Sequence, residues 1–353
     1  MTPQSVAAVS DRRSSIGDRR YKWPPEGSEG IMAKPKVAFY WCASCGGCEE
    51  AVVDLAEGIL TVVEAVDILF WPVALDFKRS DVEAMADGSL AVSFINGAIR
   101  SDEQEAMARL LRKKSKLVIA YGACAYQGGI PGLANLTEKE AILDYVYRLA
   151  PSNSDGNGVR PQTSMKVPEG DLELPVLYES VKALDQVIEV DYFVPGCPPT
   201  PKITLQAIEA ILKGQLPEKG SVLAGDRALC YECELNSSKP EKLLVSELKR
   251  IHQVIPERDK CLLAQGILCL GPVTRGGCEA PCVKGGMPCT GCFGPLERVR
   301  DYGGKALSAI ASIVDTSDEN ALAKALAALP DPAGTFYRYS VPTSILTRKR
   351  QAA

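Results

Sequence analysis

Long apolar runs are missing from this chain. None approaches the ~20 residues that a membrane-spanning helix needs, so no direct membrane span is expected. Charge of one sign is also missing. The 353 residues carry a net charge of −4, which gives no electrostatic reason to expect nucleic acid as a partner. Two fingerprints of phosphate binding are absent, a G-x-G-x-x-G opening a helix after a strand and a Walker A loop, and a nucleotide or flavin site in this chain is therefore not supported. The arginine pairs Arg12-Arg13 and Arg19-Arg20 suggest a twin-arginine export signal, but Tyr21–Gly27 follows without a hydrophobic segment, so export is not expected. Histidine is nearly absent. Its single representative, His252, lies in the charged stretch ELKRIHQVIPERDK (247–260) and is read as solvated.

Cysteine is abundant by contrast, with thirteen residues. Twelve fall into three sets of four. The first is Cys45-Gly-Gly-Cys48 with Cys124 and Cys197; the second is Cys230-x-x-Cys233 with Cys261 and Cys269; the third is Cys278, Cys282, Cys289 and Cys292. Four thiolates are what a [4Fe–4S] cubane requires, and several cubanes in one chain make an electron-transfer wire. Disulfides are the first competing reading, but the chain lacks a signal peptide and is far longer than small stapled domains. Structural zinc is the second. Cys289-x-x-Cys292 alone would suit it, whereas Cys124 and Cys197 stand singly in Gly- and Pro-rich loops, unlike paired zinc knuckles. So many free thiolates fit the reducing cytoplasm.

Residues 1–31 are polar and aperiodic and read as a flexible arm; Met32 is a plausible alternative start. Strands and helices then alternate. Lys36–Trp41 reads as a buried strand, the Cys45–Cys48 turn follows, and Glu49–Leu60 is apolar at helical spacing. Val66–Val73, Leu90–Asn96, Lys116–Tyr121 and Val187–Val194 are further strand candidates, with a helix over Asp102–Arg112. Thr200 as N-cap, Pro201 at the first helical position and Gly214 past the end delimit another helix. This alternation predicts an α/β fold with a parallel, doubly wound sheet. In such sheets ligands bind beyond the carboxyl ends of the strands. Cys45, Cys48, Cys124 and Cys197 each follow a predicted strand, so one sheet edge gathers them. Ser152–Gly170 reads as a surface loop. From about 216 to 299 the chain becomes Cys-, Gly- and Pro-rich and needs metal staples to hold together. Residues 305–328 read as two short helices, and 329–353 as an extended, basic-ended tail.

Four separated motifs in order carry a resemblance: WCASCGGCE (41–49), GACAYQGG (122–129), PGCPP (195–199), and CLGPVT (269–274) ahead of Cys278. Over about 34–300 the chain resembles the small subunit of [NiFe] hydrogenases. The resemblance implies a flavodoxin-like domain with one cluster (34–215) and a small irregular iron–sulfur domain with two (216–299), set between the flexible arm (1–33) and a helical or extended tail (300–353). It implies a proximal cluster on Cys45, Cys48, Cys124 and Cys197. A medial one would sit on Cys278, Cys282, Cys289 and Cys292, and a distal one on Cys230, Cys233, Cys261 and Cys269. Partners are expected to be a large subunit carrying the nickel–iron centre and a further iron–sulfur or flavin subunit accepting electrons. No residue of this chain is expected to be catalytic, since the paired C-x-x-C nickel motif near both termini is lacking.

Periplasmic uptake enzymes of the family have a histidine where Cys230 stands, and many a three-iron medial cluster. With Cys282 available, three cubanes are expected here, and the pattern is more like the soluble F420-reducing and heterodisulfide-linked, methyl-viologen-reducing hydrogenases. Gly47 and Gly129 occupy the positions of the two extra cysteines of oxygen-tolerant members. Cys42 is read as a buried thiol. Glu49 and Glu50 suit a helix start, with a role near the proton and electron exit as the alternative for Glu49. Two rival functions remain: the cluster-bearing subunit of respiratory complex I, which usually has adjacent cysteines in place of Cys45-Gly-Gly-Cys48, and a stand-alone ferredoxin-like carrier.

Overall fold

The computed structural model describes residues 34–153, 158–315, 319–329 and 331–348; the arm expected over 1–31 lies outside them. Apolar strands bounded by glycine turns assemble first: β1 (Lys36–Trp41), α1 (Gly47–Val53), α2 (Gly58–Ala65), β2 (Asp67–Phe70), α3 (Arg79–Ala84) and β3 (Leu90–Asn96). Then come β4 (Ile99–Ser101), α4 (Asp102–Lys114), β5 (Ser115–Tyr121), α5 (Ala123–Gln127), α6 (Lys139–Asp144), β6 (Ser164–Val167), β7 (Gly170–Glu173), β8 (Leu177–Lys182), β9 (Tyr192–Val194) and α7 (Pro201–Leu212). Five strands pair in the order β2-β1-β3-β5-β9, all parallel. Counted among themselves these strands run 2-1-3-4-5, the flavodoxin-like order, with its switch point between β1 and β3.

Both faces of the sheet are apolar, as a covered parallel sheet demands. Val37, Phe39, Val92, Phe94, Ile119 and Tyr121 point to one side, where Val52 of α1 and Ile203, Ala207 and Ile208 of α7 cover them. Ala38, Ile95, Val118 and Ala120 point to the other, against Val82 of α3 and Met107, Ala108 and Leu111 of α4. Phe39 stacks on Phe94 with ring centroids 5.0 Å apart, and the two sit in register across β1 and β3.

The cysteine-rich segment has little regular structure beyond α8 (Pro281–Lys284) and short 3₁₀ turns. Phe293, with Cys278 and Cys292 packed beside it, enters the core on the α7 side of the sheet. A separate core joins Val245, Leu248, Leu263 and Leu270 to Ala306 and Ile310 of α9 (Tyr302–Ala311) and Ala325 of α10 (Glu319–Ala327). Phe336, Tyr337 and Val341 complete it. The two helices expected over 305–328 are thus present.

The structure corrects several expectations. The helix over Glu49–Leu60 is two helices, because the chain turns at Ala56 with φ 51°. Strand Val66–Val73 shortens to β2, and Val187–Val194 to β9, since Leu184–Gln186 forms a 3₁₀ turn that Val187 and Ile188 close. The loop over 152–170 contributes β6 to an exposed antiparallel hairpin with β7. The tail is not extended. Pro332–Phe336 (α11) and Ile345–Arg348 (α12) are helical, with a 3₁₀ turn at Val341–Thr343, because Phe336, Tyr337 and Val341 bury their side chains there.

Candidate functional site: three sets of thiols

The carboxyl ends of β1, β5 and β9 hold the first set. After β1, Gly46 at φ 88° turns the chain, so that Cys48 lies in the first turn of α1 and Cys45 just before it. After β5, Gly122 donates its N–H to Val194 O at 2.8 Å and Ala123 donates to Gly196 O at 2.6 Å. These bonds lock the Cys124 loop onto the Cys197 loop. Space here is minimal: a Cβ on Gly122 would lie 2.3 Å from Cys48 Sγ, and one on Gly129 2.4 Å from Cys124 Sγ. Cys48 and Cys124 are buried, Cys45 and Cys197 exposed. Burial pushes the Cys48 thiol far up, with the charges of Cys124, Cys197 and Cys45 adding to it. Cys124 is pushed up to about 12 by burial, then by Cys197 and Cys45, against an N–H from Ile130. The four residues predicted from strand ends are therefore together.

A polar network beneath the Cys45–Cys48 turn was not legible in the sequence. Glu49 lies in the first turn of α1, as its helix-start reading expects, and it is buried there. It accepts from the Trp71 indole N–H and, at 2.5 Å, from Asn96 Nδ2. Asn96 ends β3; its Nδ2 also donates to Tyr40 O at 3.2 Å, and its Oδ1 accepts from Ser44 Oγ at 3.1 Å. Ser44 Oγ in turn accepts the Gly46 N–H at 3.2 Å. Burial raises the Glu49 carboxyl above its ordinary value, opposed by these donors. Cys42 is buried, as expected.

The third set sits against the first. Burial pushes the Cys292 thiol up to about 12; the Cys197 backbone N–H opposes this, while the charges of Cys197, Cys278 and Cys282 add to it. Burial, then Cys269, raises the Cys289 thiol, and Cys292 and Cys278 add to the effect. The second set lines a small apolar cavity whose wall includes Cys230, Cys233, Cys261 and Cys269 together with Leu229, Leu262 and Asn236. Cys230 is pushed up to about 11 by burial; Lys239 opposes this, while Cys269, Cys261 and Cys233 add to it. Cys269 Sγ accepts the Cys289 N–H at 3.4 Å. One N–H···S contact thus joins the third set to the second, and the Cys292 thiol of the third set responds to Cys197 of the first.

The donor chemistry fits iron–sulfur cofactors. Burial drives thiols toward their neutral form, and bound cations would restore the thiolates. Among the described residues, some buried polar atoms without partners lie near the sets in sequence, namely both amide atoms of Gln127, three residues from Cys124, Thr200 Oγ1, three from Cys197, and Asn236 Oδ1, three from Cys233; others, such as Ser89 Oγ and Ser340 Oγ, do not. Gln127 Nε2 and Thr200 Oγ1 carry hydrogens that electron-rich sulfur can accept. Thr200 occupies its expected N-cap position, yet its hydroxyl does not cap α7. Among the described residues no three His, Cys, Asp or Glu side chains converge on a single-ion position. His252 is exposed, as expected.

Comparison with known proteins gives the family. Residues 45–211 match the family model of the 20 Kd subunit of NADH ubiquinone oxidoreductase. The iron-sulfur subunit of the F420-non-reducing hydrogenase of Archaeoglobus profundus is 41% identical over 89% of this chain and 98% of its own length. An F420-non-reducing hydrogenase subunit of Methanothermobacter thermautotrophicus is 37% identical over 91% and 99%. The crystal structure of an NAD+-reducing [NiFe]-hydrogenase in the H2-reduced state contains a chain 28% identical over 52% of this one and 94% of its own, with a TM-score of 0.45. An alignment spanning 89% of the chain cannot omit the whole cysteine-rich segment from 230 to 292, which lies outside the 45–211 match.

The chain is an electron-transfer subunit of a hydrogenase. It belongs to the family of [NiFe] hydrogenase small subunits, beside the matching subunits of F420-non-reducing hydrogenases.

Proposed function

We propose that this chain relays electrons between a nickel–iron site in a large subunit, where H₂ ⇌ 2H⁺ + 2e⁻ takes place, and an acceptor subunit, through three [4Fe–4S] clusters. In this reading Cys45, Cys48, Cys124 and Cys197 hold the proximal cluster, Cys278, Cys282, Cys289 and Cys292 the medial, and Cys230, Cys233, Cys261 and Cys269 the distal. Residues 34–215 carry the first cluster and 216–299 the other two. Bound clusters supply one-electron redox chemistry, with potentials tuned by burial and by hydrogen bonds to sulfur. The chain's own residues supply the holding and tuning. Glycine turns bring backbone close to the thiols, Gln127 and Thr200 offer donors, and Asn96 with Ser44 fixes the Cys45–Cys48 turn.

The observation that supports this order is the N–H···S contact from Cys289 to Cys269, with the Cys292 thiol close enough to Cys197 to respond to it. The Cys289–Cys269 contact joins two neighbouring sets. A cytoplasmic home suits the free thiols. The test is a series of three single variants in the anaerobic complex, Cys124→Ser, Cys289→Ser and Cys261→Ser, read by electron paramagnetic resonance. Each is expected to remove or convert a different cluster signal. Two variants losing the same signal would contradict the grouping.

A further inference from the structure

A cleft of about 230 Å³ lies beside the third set of thiols. Three segments distant in sequence wall it: the turn with Arg250 and His252, the loop ending in Cys289 and Thr290, and Thr335 with Arg338 from the C-terminal segment. The wall residues include two arginines, a histidine and two threonines, of which the Thr290 hydroxyl also meets Tyr339 OH at 2.9 Å, and no Asp or Glu is among them. Both arginines are half-buried. Among the described residues, the Arg338 side chain makes one hydrogen bond, Nε to Gly334 O at 3.4 Å, and Arg250 bonds only through its main chain, N–H to Gln253 Oε1 and O from Gln253 N–H. Two permanent positive charges share a confined wall without an acid to offset them. Charges so placed repel each other and call for an anion between them.

A standing counter-charge for the thiol of Cys289 is the competing account. The leading influences on that thiol are burial, Cys269 and the Gly291 N–H, and neither arginine is among them. The guanidinium fork is also the side chain best shaped for two-point contact with carboxylate or phosphate. The cleft is several times the roughly 30 Å³ share of a liquid water, so a small oxyanion fits.

We infer that this cleft binds a small oxyanion, phosphate or carboxylate, held between Arg250 and Arg338 with Thr290 and Thr335 at its sides. Because Cys289 is part of the wall, the bound anion lies beside the third set. Anion binding and reduction of a cluster there then oppose each other, and by linkage each weakens the other by the same factor. That coupling rests on the cluster reading proposed above; the binding itself does not.

The experiment is titration calorimetry on the anaerobic complex in chloride buffer, with inorganic phosphate and acetate as separate probes and iron measured on the same sample. One saturable site per chain is expected, weakened at least tenfold in Arg250→Gln and in Arg338→Gln and several-fold in Arg338→Lys, which keeps charge but loses the fork. Binding of phosphate alone identifies a phosphate ligand; binding of both probes identifies a carboxylate one. Absence of saturable heat with either probe, or affinity unchanged in both glutamine variants, overturns the site. Redox titration with and without phosphate tests the coupling. A potential that phosphate moves in the negative direction, in the wild type only, is expected. An unmoved potential in a sample with full iron overturns the coupling, whereas missing iron indicts the cluster reading instead.

Discussion

At the scale of single residues, the network under the Cys45–Cys48 turn hinges on Asn96, which serves Ser44, Tyr40 and Glu49 at once. Asn96→Ala removes the donors to Glu49 and to Tyr40 O and strands buried groups, a loss of about 1–3 kcal/mol. A lower Tm with reduced iron retention in the first set is the expected outcome, measured by calorimetry and iron analysis. Gln127→Leu and Thr200→Val each delete a buried donor with no partner among the described residues. Hydrogen bonds to sulfur raise cluster potentials, so both variants are expected to move the proximal potential downward in a redox titration; an unmoved potential would show these groups point elsewhere. Asp191 makes the pH-dependent prediction. Burial works to raise its carboxyl, but Lys219, Arg112 and the Val118 N–H hold it below its ordinary value. A depressed carboxyl contributes stability above its unfolded pKa of about 3.9, lost as pH falls through the folded value. Asp191→Asn is expected to cost roughly 2–3 kcal/mol near neutrality, less than the 3–5 of a fully buried pair because both cations reach solvent. The gap in Tm between variant and wild type then narrows as pH falls below about 4.

At the scale of elements, the site is a property of strand ends. A parallel sheet sends β1, β5 and β9 in one direction, and the loops that follow meet where the strands stop. Gly122→Ala tests that geometry, since its Cβ would sit 2.3 Å from Cys48 Sγ at a residue with φ 87°. The variant is expected to lose one cluster, about four irons of twelve, while the other two sets keep theirs. Iron analysis with electron paramagnetic resonance reads the outcome. This much was legible in the sequence, because short apolar runs ending in Cys-bearing glycine loops place thiols at one edge whatever the details. The breaks were not legible. Nothing in the apolar spacing of Glu49–Leu60 marks the turn at Ala56, and β9 keeps only Tyr192–Val194 of its apolar run because Leu184–Ile188 packs as a turn into the α4 side of the sheet.

At the scale of the whole molecule, the cysteine-rich segment survives by borrowing core from both neighbours. Phe293 is buried with the sheet, while Leu263 and Leu270 pack with Phe336 and Val341 of the C-terminal segment. That segment looked like a tail because its apolar residues are few and interrupted by Pro332, Gly334 and Pro342; tertiary contacts decide its shape, and local sequence does not. Trp71 and Asn96 escaped sequence reasoning for the same reason, as their partner Glu49 lies 22 and 47 residues away. The three thiol sets, by contrast, were visible from spacing and strand order alone.

The most direct test of the electron-relay account is the metal content of the complex captured anaerobically through a tag on this chain. The account predicts about twelve irons per chain from three cubanes, with nickel and further iron in a co-purifying large subunit. Zinc in place of iron, or full iron with neither nickel nor a large partner, would contradict it.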